Sequence, residues 1–245
     1  MRLEIAALAG LPEITAGADL AKLIREAAVL EGQALDEANA IVVVAQKIVS
    51  KAEGAVVDLR TIPPSALARG WAEQSGRDAR LVELILAQSK RVVKMARGVL
   101  ISETRHGFVC ANAGVDQSNV EGDDFATVLP DDPDASARRL REALGCGAVI
   151  VSDTFGRPWR EGLVDIAIGV AGIEPLEDYR GRVDRRGHKL AGTIMAVADQ
   201  LAAAAGILMR KAAGLPVVLI RGFEWQPAEA SARPLIRAAE QDLFR

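Results

Sequence analysis

The run Ala40–Val44, AIVVV, constrains the fold most. It is apolar at every position and of strand length, so it reads as a β-strand buried on both faces rather than as one side of an exposed sheet. Ala148–Val151 and Val217–Ile220 are further apolar strands, far along the chain. Leu3–Leu8, Val56–Leu59 and Val99–Ile101 add shorter strands. Helical spacing starts at Asp19, with Leu20, Leu23, Ile24 and Ala27 on one face. Pro63 and Pro64 precede a helical hairpin, Ala66–Glu73 and Asp78–Ser89, with Ser65 near its start and a break at Ser75-Gly76. Leu129–Ser136 is an acidic, proline-containing helix entry, followed by Leu140, Ala143 and Leu144 on one face. Ile194–Leu208 reads as a buried, alanine-rich helix and Ser231–Arg245 as a surface helix. The fold class is α/β (α+β): mixed β-sheets with flanking helices.

With 245 residues, half of them hydrophobic, the chain is long enough for a large core, as one domain or two closely joined lobes. The net charge of −3 makes no electrostatic case for nucleic acid or an anionic membrane. No segment reaches the ~20 apolar residues of a membrane span. The start, MRLEIAALAG, lacks a signal-peptide layout, and Cys110 and Cys146 lack metal-ligand spacing. A reduced, cytoplasmic protein is expected.

Chemistry concentrates in two stretches. In Glu103–Val120, ETRHGFVCANAGVDQSNV, an apolar strand gives way to Ala111, Asn112, Ala113 and Gly114 and closes on Asp116, Ser118 and Asn119. Taken alone, this is a β-hairpin with a polar turn. Val149–Arg160, VIVSDTFGRPWR, repeats the theme, with an apolar run stopping at Ser152, Asp153 and Thr154 before a Gly-Arg-Pro turn. Two strands that each end in an aspartate beside small polar residues suit a hard divalent cation and a phosphate. Arg157 and Arg160 follow closely and have the fork geometry for anionic oxygens. Lys47 and Lys51 lie just past the end of the Ala40–Val44 strand. They are either solvated, as lysines usually are, or point charges for phosphate. Trp71 reads as packing. Asp178–Lys189 is a charged, glycine-punctuated loop whose arginines either face solvent or hold an acidic substrate. Neither His106 nor His188 has a partner that spacing identifies. No GxxxxGK[ST] motif is present, so a nucleotide enzyme here would not use the P-loop fold.

In chain order SKAEG (50–54), NAGVDQSN (112–119) and SDTFGRPWREG (152–162) resemble the coenzyme F420:L-glutamate ligases, GTP-dependent γ-glutamyl ligases of deazaflavin biosynthesis. The similarity runs from Gly10–Ile14 to Leu215–Gly222. It implies a two-lobed fold, neither P-loop nor Rossmann, over 1–245 as a single ligase domain, forming a homodimer. It implies GTP as cosubstrate, F420-0 and L-glutamate as small-molecule substrates, and Mg²⁺ or Mn²⁺, with K⁺ as a further ion.

Nucleotide contacts are implied at Leu11, Pro12, Glu13, Ile14, Gln46, Lys47, Lys51 and Asn119, and at the loop Met209, Arg210, Lys211, Ala212, Ala213, Gly214 and Leu215. Metal ligands are implied at Asp116 and Asp153, with Thr154 beside a second ion. Asp116, Asp153, Lys51 and Arg157 are the expected catalytic set; the Arg157 role is inferred from its position alone. The 209–215 loop departs from the family, which often has a glycine and an acidic or amide side chain where Arg210–Ala213 stand. The chain ends before any flavin-reductase-like domain of the kind some bacterial relatives carry, so a short tail of one or two glutamates is expected. The competing readings are an NTP-dependent ligase or kinase for another small carboxylate, and a non-catalytic nucleotide-binding homologue.

Overall fold

The computed structural model describes residues 2–35 and 37–242. In chain order the elements are β1 (Glu4–Ala7), α1 (Leu20–Leu30), β2 (Ile41–Ala45), α2 (Gln46–Ala52), β3 (Val56–Asp58), α3 (Ala66–Ser75) and α4 (Ala79–Gln88). Then follow β4 (Ser89–Ala96), β5 (Val99–Thr104), β6 (Val109–Ala111), β7 (Phe125–Thr127) and α5 (Pro133–Leu144). The chain continues with β8 (Ala148–Arg157), β9 (Arg160–Ala171), β10 (Glu177–Asp178), β11 (Ile194–Met195), α6 (Val197–Met209) and β12 (Val217–Arg221).

The main sheet has the order β1-β12-β2-β8-β9. The all-apolar β2 takes the centre, and Ile41–Val44 are completely buried. Its parallel neighbour is β8, in register from Ile41↔Ala148 to Ala45↔Ser152. All other pairings in this sheet are antiparallel. Helices α1, α5 and α6 bring Leu20, Ile24, Leu140, Leu144, Leu201 and Ala205 into the same core. Each such large aliphatic side chain contributes roughly 1.5–3 kcal/mol when fully buried. Asp19, Ser65, Asp78 and Asp132 cap α1, α3, α4 and α5 through backbone N–H groups, where capping residues precede each apolar pattern in the sequence.

A parallel pair requires a long crossover. Here the crossover between β2 and β8 carries a second lobe. It contains the β3–β7 pair, the β4-β5-β6 sheet and the α3–α4 hairpin. Its separate core is built on Leu59, Leu81, Ile85, Leu100, Val115 and Ala126.

One irregularity matters for the site. Val151 faces Gly169, but Ser152 faces Ala167, so β9 carries an extra residue at this point. A bulge of this kind frees backbone groups and re-aims side chains. Two half-buried carboxylates accept from donors on and beside this edge strand. Asp134 of α5 accepts from Val170 N at 2.8 Å and Ala232 N at 2.9 Å. Asp199 of α6 accepts from Ala167 N at 2.9 Å. Burial pushes both carboxyls above their usual range.

Three expectations need correction. β8 does not stop at Ser152; it runs through Asp153 to Arg157, because β9 pairs with it on that side as far as Arg160. Val92, Val93 and Met95, which in the sequence read as a lead-in to the Val99–Ile101 strand, are themselves strand, within β4. The expected C-terminal helix over Ser231–Arg245 is absent among the described residues, and its last three residues lie outside them. Instead there are two 3-10 turns, Arg233–Leu235 and Ala239–Gln241. Pro234 removes a backbone donor, and Leu235 and Ile236 are drawn onto the main core, so packing wins over helical spacing.

Candidate functional site

A cleft of about 590 Å³ opens where β2 ends, between the main sheet and the second lobe. That volume is in the range of small-molecule and cofactor sites, ~300–1,000 Å³. Its walls come from the Leu11–Ile14 loop, α2, the segment after β6, the middle of the β8–β9 hairpin, and the turn after α6.

The second-lobe wall is shaped by a left-handed turn. Asn112, Ala113 and Gly114 have φ of 55°, 51° and 74°. Two non-glycine residues in this region each cost of order 1–2 kcal/mol, so the turn persists only because its surroundings hold it. Asn112 is held by Arg77, whose Nη1 donates to its Oδ1 at 2.8 Å. A Cβ at Gly114 would lie 2.6 Å from Leu129 Cγ, so only glycine fits. Leaving this turn, Asp116 pairs with Thr127 through both backbone bonds. Its side chain accepts from Ser118 N at 2.7 Å and from Lys47 Nζ at 2.8 Å. Burial would raise the Asp116 carboxyl, but Lys47 and the Ser118 N–H outweigh it and hold it below its usual value.

The main-sheet wall is wired differently. Asp153 accepts from Thr154 N at 2.8 Å. Desolvation first, and then the nearby Asp116 charge, push its carboxyl up to about 6, although Lys211 and Lys47 pull the other way. Thr154 lies opposite Asp165 in the β8–β9 register, and its hydroxyl donates to Asp165 Oδ1. Asp165 turns toward α6, where a Cβ on Gly206 would lie 1.9 Å from its Oδ2. Lys211 Nζ donates to Thr154 Oγ1 at 3.0 Å. Cys110 is close enough to feel Asp153, and burial pushes its thiol up to about 12, so it is no nucleophile.

On α2, Lys47 and Lys51 are one turn apart and face the cleft together. The solvated alternative therefore fails for both. Lys51 is buried and pairs with Glu13, while Lys47 holds Asp116. Gln46 is buried too, with its Oε1 2.8 Å from the Ser50 hydroxyl.

The family model described as F420-0:gamma-glutamyl ligase matches residues 10–222. This chain belongs to that family. A coenzyme F420:L-glutamate ligase of Methanothermobacter thermautotrophicus is 47% identical over 253 aligned positions, covering 100% of each chain. One of Methanopyrus kandleri is 43% identical, covering 95% of this chain and 94% of the relative. One of Halorubrum lacusprofundi is 39% identical, covering 99% and 96%.

The F420-0:gamma-glutamyl ligase resemblance implied a set of site residues from five separate stretches, and nearly all of them line this one cleft. They are Leu11, Pro12, Glu13, Ile14, Gln46, Lys47, Lys51, Asp116, Asn119, Asp153 and Thr154, with Met209, Arg210, Lys211, Ala212, Gly214 and Leu215. Ala213 shares the loop but does not line the cleft. Arg157 is not in it either. Its guanidinium donates to the backbone carbonyls of Glu161 at 2.6 Å and Gly162 at 3.3 Å, bracing the hairpin beyond Asp153. Arg157 thus stands apart from the cleft, because β8 continues past Asp153 before it turns.

Asp165 and Gly206 were missed. LVDIAIGV reads as a small-residue strand, and the one available signal was a carboxylate interrupting an apolar run. Among the described residues no three His, Cys, Asp or Glu side chains converge as a metal site. The two carboxylates that face each other across the cleft, Asp116 and Asp153, fit an ion that completes its shell with water and phosphate oxygens, as Mg²⁺ does. No helix among the described residues is long and apolar enough to cross a membrane.

Proposed function

We propose that this chain is a GTP-dependent ligase that adds L-glutamate to the terminal carboxylate of F420-0. The observation that carries this is the convergence of Asp116 and Asp153, from different lobes, on one cleft with Lys47 and Lys51. The relatives' name, coenzyme F420:L-glutamate ligase, supplies the substrates.

A carboxylate is a poor electrophile and must be activated. An oxygen of the F420-0 carboxylate attacks the γ-phosphorus of GTP, GDP leaves, and an acyl phosphate forms. The glutamate amine then attacks the acyl carbon; phosphate leaves with the C–O electron pair, and the amine proton passes to solvent. Phosphoryl transfer depends on positioning and charge neutralisation more than on covalent chemistry by the protein. Lys51 and Lys47, held on one face of α2, meet the phosphates as fixed cations. To do so Lys51 exchanges Glu13, and Lys47 exchanges Asp116, for phosphate oxygen. Asp116 and Asp153 would hold Mg²⁺ or Mn²⁺, which neutralises phosphate charge. The same reading takes the protein as a homodimer, which sedimentation of the purified chain checks.

The test is phosphate release from GTP with F420-0, L-glutamate and Mg²⁺, each omitted in turn, with products weighed by mass spectrometry. Release that depends on all four and yields a glutamylated product is expected. Nucleotide binding without coupled release would instead leave a non-catalytic binding protein. Turnover with ATP and none with GTP would overturn the choice of nucleotide.

A further inference from the structure

The contact between Lys211 and Thr154 is built by several devices. Arg210 closes α6 with φ 42° and ψ 155°, a conformation few side chains adopt, and this turns the next residue back toward the sheet. Gly206, one turn earlier on α6, leaves room for Asp165 where any Cβ would collide with it. Asp165 then accepts the only proton of the Thr154 hydroxyl. The lone pairs of Oγ1 are left facing the cleft, and the Lys211 ammonium sits on one of them at 3.0 Å. Among the described residues Lys211 makes this one hydrogen bond and no ion pair, although its charge is felt at Asp153, so the ammonium is fixed in the cleft through a hydroxyl.

We propose that Lys211 is a resident cation of the nucleotide site, held in place through Thr154 by Asp165, and that it excludes a second divalent ion from the Asp153–Thr154–Asp165 wall. The inference rests on the nucleotide reading above. A divalent ion on Thr154 would approach Oγ1 to about 2.0–2.1 Å, on an oxygen that already carries an ammonium. Two cations on one hydroxyl repel, and the lysine is covalently present at every turnover. Asp165 acts through Thr154, so it is a positioning residue; Lys211 is the group that would meet phosphate oxygen. Without Lys211, two carboxylates and a hydroxyl on adjacent strands, with phosphate oxygens above them, become a suitable donor set for Mn²⁺.

Mn²⁺ counting by electron paramagnetic resonance, with saturating GDP, tests this independently of turnover. The wild type is expected to take up one Mn²⁺ per chain and Lys211→Gln two. Adding Asp165→Asn to Lys211→Gln is expected to return the count to one, which a purely structural role for Asp165 would not do. Two Mn²⁺ on the wild type, or one on Lys211→Gln, overturns the proposal while leaving the nucleotide reading intact. Binding of a fluorescent GDP, followed in parallel, separates the two. A wild type that binds no GDP at any Mn²⁺ concentration overturns both.

Discussion

The two walls of the cleft carry the same kind of group in opposite electrostatic conditions. On the second-lobe wall Asp116 is half-exposed and rests against Lys47, so its charge is stabilised before any ligand arrives. On the main-sheet wall Asp153 pairs with no cation among the described residues and is desolvated, so its charge is costly until a cation comes. A carboxylate that is unstable in the empty protein gains most from a bound ion, whereas a satisfied one must first release its partner. The wall built on the rigid sheet therefore stores the binding drive, and the wall built on the lobe supplies an exchangeable pair.

The largest expected effect tests that contrast directly. Asp153→Asn should lower GTP-dependent ligation by about 10³-fold or more, the scale of losing a main electrostatic contact in phosphoryl transfer. Unfolding of the same variant without metal should show a gain of about 1–3 kcal/mol near neutral pH, because a charge that is costly to bury is gone. The sign follows from the carboxyl at about 6 in the folded chain against 3.8 ordinarily. The wild-type penalty is absent below about pH 4 and complete above about pH 6, so metal-free stability falls as pH rises through that window, and the variant's profile should lose this fall. Asp116→Asn should lower ligation too, but with a stability loss of no more than about 1 kcal/mol, as expected for a partly exposed ion pair. Equal signs for the two variants in urea unfolding would break the comparison.

Packing behind the main-sheet wall gives the next effect. Gly206→Ala should destabilise by about 1–3 kcal/mol through its clash with Asp165, and Asp165→Ser in the same chain should recover much of it. Smaller still, Asp199→Ala should cost about 1–2 kcal/mol by orphaning the Ala167 N–H beside the bulge, while Asp199→Asn keeps an acceptor and should be near neutral. Thermal unfolding of the pair separates the hydrogen bond from the charge. The smallest effect is expected at Arg157→Ala, with less than about a threefold change in kcat/KM. A loss of a hundredfold or more would return that guanidinium to the chemistry.

Much of this was legible in the chain. AIVVV at 40–44 marked the central strand because an unbroken apolar run has only one low-energy place in a sheet protein. Asp19, Ser65 and Asp78 marked helix starts because capping is a local hydrogen bond. The motif NAGVDQSN marked a special turn, although its physical content, three successive left-handed residues, is visible only in the fold. That Arg157 lies outside the cleft was not legible, because nothing local tells a strand to continue past Ser-Asp-Thr; that is decided by β9 pairing alongside. Asp165 was overlooked because its partners, Thr154, Gly206 and Lys211, are distant in sequence.

By itself the sequence determined the element types, the central strand and, through motif order, the family, since all of these rest on short-range periodicity and local hydrogen bonding. Which aspartate's charge is stabilised and which is costly, which lysine is buried, and where the arginine ends up were decided only by tertiary structure. Those properties depend on desolvation and on neighbours tens of residues away, which no local pattern encodes.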